Sequence, residues 1–296
     1  MAWLRLLRIA ALPSALSNIL IGYLLVHQSW QPPIALAWLL LSSACLYCAG
    51  MVLNDVYDLK VDQKERPSRP LPSGAISVSV ATKVGFGLLI GGVILALLAS
   101  VYSFGIAIIL GILVFLYDGP LKKTMLGPLT MGSCRTLNIL LGASTAGSIP
   151  TSVIYYAIAI GVFVSGITWL ARREAQETQS AATLWPGSTL MVLGMLLVGF
   201  AAWQFLGDGS TSSRFSRFFP VAFGFICLPI FRRMVLAIAT TSSQSVQATV
   251  VTSLRSLIVF DACMGLLVEN GRPVYSIVIL SLLVASSLLG RFTKLT

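Results

Sequence analysis

The sequence predicts an all-α polytopic membrane protein, a single bundle of nine or ten transmembrane helices around a central cavity. Hydrophobic residues make up 56% of the chain and charged residues only 10%, whereas a soluble domain carries about 25% charged residues. The mean hydropathy of +0.89 agrees with this composition. Apolar runs of membrane-spanning length, roughly 17 to 25 residues, also follow one another along the chain. We therefore expect one transmembrane domain covering residues 1–296.

The apolar runs give the expected positions of the helices, near residues 7–27, 34–54, 80–101, 103–117, 128–147, 152–171, 187–206, 217–238, 246–268 and 274–290. The count stays open between nine and ten, because the run at 103–117 is short and the two runs between 217 and 268 contain charged side chains. The first run follows basic residues, as in a secretory signal. It has no clear small-residue cleavage site, and Pro13, Ser14 and Asn18 interrupt it, so we expect a retained helix.

The formal net charge of +10 follows the predicted loops. Lysine and arginine precede the first run and follow the second, fourth and sixth, whereas the turns HQSWQPP, SVYSF and STAGSIPTS contain neither residue. This is the positive-inside pattern, so we expect the N-terminus and the loops after even-numbered spans to be cytoplasmic. Because a lipid bilayer accounts for the basic residues, we expect no nucleic-acid partner.

The stretch NDVYDLKVDQKERPSRPLPSG, residues 54–74, concentrates acidic side chains at the end of the second run. Of the ten acidic residues in the chain, Asp55, Asp58, Asp62 and Glu65 fall within eleven positions. On a continuing helix the spacing places Asp55, Asp58 and Asp62 on one face. Three like charges require cations, and carboxylate oxygens suit Mg²⁺, which bridges one or two carboxylates to substrate phosphates. The pattern therefore predicts a magnesium–diphosphate site.

The alternative is a solvated helix end whose carboxylates pair with Lys60, Lys64 and Arg66. That alternative accounts for Glu65 but not for the one-sided set of aspartates. The following segment RPSRPLPSG contains three prolines and a glycine, which predicts a stiff loop. Such a loop would hold Arg66 and Arg69 near the site, where a guanidinium can bind phosphate oxygens bidentately.

The same stretch resembles the first aspartate-rich motif, NDxxDxxxD followed by RPxRP, of the UbiA superfamily of intramembrane prenyltransferases. The segments PSALSNILIGYLL in the first span, YDGPLKKTMLGP after the fourth and SCRTLNILLGAS in the fifth are similar to further family segments. The resemblance thus covers about the whole chain. The segments SNILIG, YDGPLK and SCRTLNILLG most resemble the EboC-like branch.

The resemblance implies a role for each matching polar residue. Asp55, Asp58 and Asp62 would hold Mg²⁺ against the diphosphate of a prenyl donor, with Asn54 completing the polar edge. Either Lys122 or Lys123 would contact the diphosphate as it leaves. The other residues implied to bind substrate, by contacting the diphosphate or by projecting into the central cavity, are Asn18, Arg66, Arg69, Tyr117, Arg135 and Asn138.

Arg135, Asn18 and Asn138 also stand out without the resemblance, because a polar side chain within a span is unfavourable and normally faces the bundle interior. We expect Arg135 to be catalytic, although an arginine can also snorkel to the membrane surface. For the two asparagines, hydrogen bonding between helices is an equally simple role.

The sequence departs from the family pattern after the sixth span, where a second aspartate-rich motif is normally found. That place reads TWLARREAQETQSAATL and contains no aspartate. Glu174 and Glu177, three residues apart, could ligate a second Mg²⁺. Arg172 and Arg173 could instead neutralise the diphosphate directly, or the ionisation chemistry could be lost.

The implied reaction is Mg²⁺-dependent transfer of a prenyl group from an allylic prenyl diphosphate to a lipophilic or aromatic acceptor within the membrane. Nothing in the sequence identifies the acceptor or the length of the prenyl chain. The alternative is a lipid-diphosphate binding protein without catalysis, or a small-molecule transporter, that has kept only the first motif.

Overall fold

The computed structural model describes residues 1–174, 180–207, 217–268 and 273–293, and within these ranges the chain is helical and contains no strand. Ten long helices lie in these ranges: α1 (Pro13–His27), α2 (Pro33–Tyr57), α3 (Val78–Ala99), α4 (Val101–Leu116), α5 (Gly127–Ala143), α6 (Thr151–Glu174), α7 (Ala181–Gly207), α8 (Phe219–Thr240), α9 (Ser243–Met264) and α10 (Val274–Thr293). Short helices occupy Ala2–Leu6 and Leu59–Glu65.

Eight helical stretches in the described ranges are long and apolar enough to cross a membrane. They are α2, α3, α4 with the turn that follows it, and α6 to α10. Helices α1 and α5 are shorter, with 15 and 17 residues. The predicted all-α membrane fold is confirmed, and the ten long helices agree with the expected nine or ten.

The fourth predicted run is short because a π-helical turn, Tyr117–Leu121, extends α4 beyond the end of its apolar pattern. With this turn the stretch Val101–Leu121 reaches 21 residues, which is enough to span a bilayer. π turns inside helices are frequent at functional sites. Here the turn contacts α2 and places Asp118 beside Asn54.

The acidic stretch continues from α2 with one interruption. Helix α2 ends at Tyr57, and the short helix Leu59–Glu65 begins after Asp58, whose φ and ψ are −83° and −1°. The Asp58 amide donates to the Asn54 carbonyl oxygen at 2.9 Å, and the Asp62 amide donates to the Asp58 carbonyl oxygen at 2.9 Å. The helical hydrogen-bond register therefore passes through the junction, as the sequence predicts.

Helices α1 and α5 pack in close backbone contact. A Cβ atom at Gly142 would lie 2.5 Å from the carbonyl oxygen of Ile19, and one at Gly22 would clash with the backbone of Ile139. Small residues at helix contacts allow this approach in membranes. As a result, the polar side chains of α5 reach the backbone and side chains of α1.

The buried share of each span separates inner from outer helices. Helices α6 and α9 are each 67% buried within their most apolar window, whereas α8 and α10 are only 17% buried. Helices α6 and α9 therefore lie in the interior of the bundle. Helices α8 and α10 lie on its outside and present large apolar side chains to their surroundings, as a lipid-facing surface requires.

Candidate active site

A cavity of about 300 Å³ opens between α1, α2, α4 and α5. Its wall includes apolar side chains such as Leu46, Leu110, Val114 and Met131. Predicted site residues also line it: Asn54, Asp58, Arg66, Arg69, Tyr117, Lys122, Arg135 and Asn138. The cavity thus combines an apolar wall with charged groups from the acidic stretch and from the segment after α4.

Asp55 and Asp62 are buried carboxylates held by arginines. Arg8 donates to Asp55 at 2.7 Å, and Arg69 donates to Asp62 at 2.6 Å while its Nη1 lies 3.5 Å from Asp55. The loop RPSRPLPSG therefore folds back onto the acidic face, as predicted, and Arg69 lies between two of the predicted metal ligands. Arg8 has a φ of 45°, in the left-handed region that is rare for residues other than glycine.

Asp58 and Asn54 converge on one cation, the ammonium group of Lys122. Lys122 forms an ion pair with Asp58 Oδ2 and donates a hydrogen bond of 3.2 Å to Asn54 Oδ1. Lys123 is exposed and does not line the cavity. Of the two lysines left open by the sequence, the structure therefore brings Lys122 to the site.

Within the described residues, no three His, Cys, Asp or Glu side chains are arranged to share one metal ion. The reason is that Asp55 and Asp62 face arginines, while Asp58 faces Lys122. The donor set nevertheless fits Mg²⁺, because the Lys122 ammonium already lies between two oxygen ligands of the type that Mg²⁺ prefers. This ion needs only one or two protein carboxylates when phosphates and waters complete its shell.

The sequence reasoning missed Asp118, which lies in the π turn and is only 5% exposed. Its Oδ1 accepts a hydrogen bond of 2.9 Å from Asn54 Nδ2. The available signal was a carboxylate at the end of an apolar run, because ionisable residues at such positions are unfavourable and mark function. Arg8 was not predicted as a site residue either, because a basic residue before the first span is typical of the positive-inside pattern.

The deeper polar group joins α5 to α1. Arg135 donates to the Ser14 carbonyl oxygen at 3.0 Å and to Asn18 Oδ1 at 3.1 Å. Asn138 Nδ2 donates to the Ala15 carbonyl oxygen at 2.8 Å. The structure therefore brings all three predicted intramembrane residues together, and it gives both asparagines the interhelical role that the sequence left open.

Asp261 on α9 completes this group, and the sequence reasoning assigned it no site role. Its side chain is fully buried and accepts hydrogen bonds from Ser17 at 2.6 Å, Asn18 at 2.8 Å and Tyr156 at 2.6 Å. Because Asn18 also accepts from Arg135, a chain of hydrogen bonds connects a half-buried cation to a buried carboxylate. This chain of hydrogen bonds connects α5 to α1, α6 and α9.

The predicted second site is described only in part. Arg172 at the end of α6 donates to the Thr124 carbonyl oxygen at 2.6 Å, so it holds the segment that follows Lys122. Arg173 and Glu174 belong to α6, but their side chains lie outside the described part of the structure, and so does the whole of Glu177. A second metal site at these residues stays a prediction.

A bundle of apolar helices with a partly charged cavity defines a polytopic membrane protein with a candidate binding site among its helices. The chain belongs to the UbiA prenyltransferase family, whose sequence model matches residues 15–254. It is 27% identical over 205 residues to digeranylgeranylglyceryl phosphate synthase of Sulfolobus acidocaldarius, covering 67% of this chain and 74% of that one. It is 30% identical over 175 residues to the enzyme of the same name from Sulfurisphaera tokodaii, covering 56% of this chain. That alignment spans 63% of the relative's length.

Solved structures share the fold. A structure of digeranylgeranylglyceryl phosphate synthase superposes with a TM-score of 0.70 at 20% identity and covers 91% of this chain and 98% of that chain. A UbiA homologue from Archaeoglobus fulgidus, bound to GPP and Mg²⁺, superposes with a TM-score of 0.62 at 16% identity and covers 95% of this chain and 100% of that chain.

Proposed function

We propose that the protein catalyses Mg²⁺-dependent transfer of a prenyl group from an allylic prenyl diphosphate to a lipophilic or aromatic acceptor within the membrane. The observation that carries this proposal is the convergence of Asn54 and Asp58 on a single cation in the wall of a largely apolar cavity. Such a cavity suits a substrate with a charged head and an apolar tail. The chain's membership of the UbiA prenyltransferase family supports the same reaction.

Asp58 and Asn54 would hold Mg²⁺ against the donor diphosphate, and Asp55 and Asp62 would join them once the diphosphate takes over their arginine partners. The bound ion supplies positive charge that stabilises the departing diphosphate. An incoming diphosphate would give the basic side chains new acceptors in place of the carboxylates, because guanidinium and ammonium groups bind phosphate oxygens strongly. Arg66, which lines the cavity, would join them in this contact.

The chemical step breaks the allylic C–O bond, and the bonding electrons leave with the diphosphate. The nucleophilic atom of the acceptor forms the new bond to the allylic carbon and loses its proton. Fixed positive groups aimed at the developing charge lower the barrier for such a step. Here Lys122 and Arg69 lie at the charged part of the cavity, while Arg135 lies deeper in its wall and would contact the acceptor.

The relatives are named for digeranylgeranylglyceryl phosphate, so prenylated glyceryl phosphate lipids are the first acceptors to test. The segments SNILIG, YDGPLK and SCRTLNILLG support a place in the EboC-like branch of the family, which leaves the acceptor open.

We also propose that the N-terminus and the loops after even-numbered spans are cytoplasmic, because lysine and arginine concentrate there. The donor diphosphate would then enter from the cytoplasm. All residues from 1 to 296 would belong to one transmembrane domain, with the prenyl tail lying among the apolar helices.

The test is incubation of the purified protein with geranyl, farnesyl and longer allylic diphosphates, a lipid extract and Mg²⁺, followed by mass spectrometry. We expect a prenylated lipid that appears only with Mg²⁺. Binding of the donor without any product across acceptors, including glyceryl phosphate lipids, would favour the lipid-diphosphate binding protein. Movement of a substrate across a vesicle membrane without any product would favour a transporter.

A further inference from the structure

Asp118 is a buried carboxylate with one satisfied and one unsatisfied oxygen. Its Oδ1 accepts from Asn54 Nδ2 at 2.9 Å, whereas no donor in the described part of the chain reaches Oδ2. A buried acceptor without a partner destabilises the folded protein. Buried polar groups are normally hydrogen-bonded. The unsatisfied oxygen of Asp118 therefore indicates a role in the cavity that this residue lines.

Asn54 lies between Asp118 and Lys122, and the chemistry of these two partners fixes its orientation. A carboxylate only accepts hydrogen bonds, and an ammonium group only donates them. The amide of Asn54 satisfies both partners only when its NH₂ group faces Asp118 and its carbonyl oxygen faces Lys122. The chemistry of the two partners alone therefore fixes this orientation.

We propose that Asp118 is a positioning residue that holds the carbonyl oxygen of Asn54 toward the cation position beside Asp58. This inference rests on the proposed function, because that position would receive the divalent cation when the donor diphosphate binds. Without Asp118 the amide could rotate and present its NH₂ group to the cation, which is repulsive. Hydrogen-bonded partners behind a metal ligand have this orienting role in many metal sites.

A second explanation is that the negative charge of Asp118 attracts the cation through space. The two explanations differ in one respect. A positioning residue acts only through Asn54, so its effect must vanish when Asn54 is removed, whereas a through-space effect of charge persists. A double-mutant cycle on the two residues separates these cases.

The experiment measures Mn²⁺ binding to the purified full-length protein by electron paramagnetic resonance, in the presence of geranyl S-thiolodiphosphate. We expect Asp118→Leu, which has a similar shape but no acceptor, to weaken Mn²⁺ binding by about 10- to 100-fold. In an Asn54→Ala background, Asp118→Leu should cause no further loss. Ser42→Ala is the matched control, because Ser42 is a buried residue of the same helix as Asn54 that donates to the Gly92 carbonyl oxygen and does not line the cavity, so its Mn²⁺ binding should equal that of the wild type.

A charge-swapped double variant, Asn54→Asp with Asp118→Asn, provides a second test should Asp118→Leu not fold. The new amide at position 118 can donate to the new carboxylate at position 54, whose other oxygen then faces the cation. We expect this variant to bind Mn²⁺ more tightly than the single variant Asn54→Asp, in which two carboxylates face each other. Equal binding by the two would contradict the proposal.

The outcomes also separate this inference from the proposed function. Wild-type protein that binds no Mn²⁺ in the presence of the analogue would overturn both. The positioning role alone would be overturned if the wild type binds Mn²⁺ normally and Asp118→Leu leaves that binding unchanged. It would also be overturned if Asp118→Leu weakens Mn²⁺ binding by the same factor with Asn54 present and in the Asn54→Ala background.

Discussion

Asn18 donates a hydrogen bond of 2.8 Å to the carboxylate of Asp261, which lies 243 positions further along the chain. The same amide accepts a hydrogen bond of 3.1 Å from Arg135, so one side chain links a cation and a carboxylate inside the bundle. The amide of Asn54 is held between a cation and a carboxylate in the same way. In both cases the cation lines the cavity, and a buried carboxylate holds the amide beside it: Asp118 from within the cavity lining and Asp261 from outside it.

The Asp261 group predicts a graded loss of stability. Asp261→Ala removes the acceptor of Asn18 and Tyr156, whereas Ser17 retains the Ser14 carbonyl oxygen at 3.1 Å. Each buried polar group left without a partner costs about 1 to 3 kcal/mol. We therefore expect the free energy of unfolding to fall by about 2 to 6 kcal/mol for Asp261→Ala, which leaves two donors unsatisfied, but by only about half as much for Tyr156→Phe, which leaves one carboxylate oxygen unsatisfied. Thermal unfolding in detergent measures both variants. Equal losses would show that the carboxylate does not organise the group.

The close contact of α1 with α5 predicts a position-specific effect of glycine substitution. Gly142→Ala would place a methyl group against the carbonyl oxygen of Ile19, so the helices must separate, at about 1 to 3 kcal/mol. Gly105→Ala is the matched control, because nothing lies within 4 Å of its Cβ position in α4. We expect a lower Tm for Gly142→Ala and an unchanged or higher Tm for Gly105→Ala. A neutral Gly142→Ala would contradict the close packing.

The basic pair at the end of α6 predicts an effect on donor binding if it takes the place of a second metal ion. We expect the double variant Arg172→Ala with Arg173→Ala to bind geranyl diphosphate at least about 10-fold more weakly, because it removes two positive groups that could bind phosphate. Arg232→Ala with Arg233→Ala is the matched control, since both arginines are exposed on α8. Calorimetry measures the affinities. Equal affinity of the two double variants would make Arg172 and Arg173 simple orientation signals.

The sequence predicts the all-α membrane fold because apolar runs of spanning length directly reflect the thickness of the bilayer. The i to i+3 and i to i+4 spacings predict a common face for Asp55, Asp58 and Asp62. In the structure Asp55 and Asp62 share Arg69, whereas Asp58 pairs with Lys122. Helical periodicity does not reveal which partner each carboxylate takes. The pairing of Asp55 with Arg8 joins residues 47 positions apart and depends on how the N-terminal segment packs.

Neither Asp118 nor Asp261 was predicted as a site residue from the sequence, for a related reason. Each is a single carboxylate near or within an apolar run, and its importance lies in an asparagine on another helix. A single sequence does not show that Asn54 and Asn18 are held between a cation and a carboxylate, because such a contact forms only when distant helices pack together. The π turn at Tyr117–Leu121, which contacts α2, was not predicted from the sequence either.

The most direct test of the central claim is the rate of Mg²⁺-dependent diphosphate release from geranyl diphosphate. Asp58→Asn removes the carboxylate that faces the cation position, and we expect the rate to fall by about 100-fold or more while the thermal unfolding profile stays that of a folded protein. Glu65→Gln is the matched control, because Glu65 is an exposed acid in the same stretch, and its rate should equal that of the wild type. Unchanged release by Asp58→Asn would contradict the account.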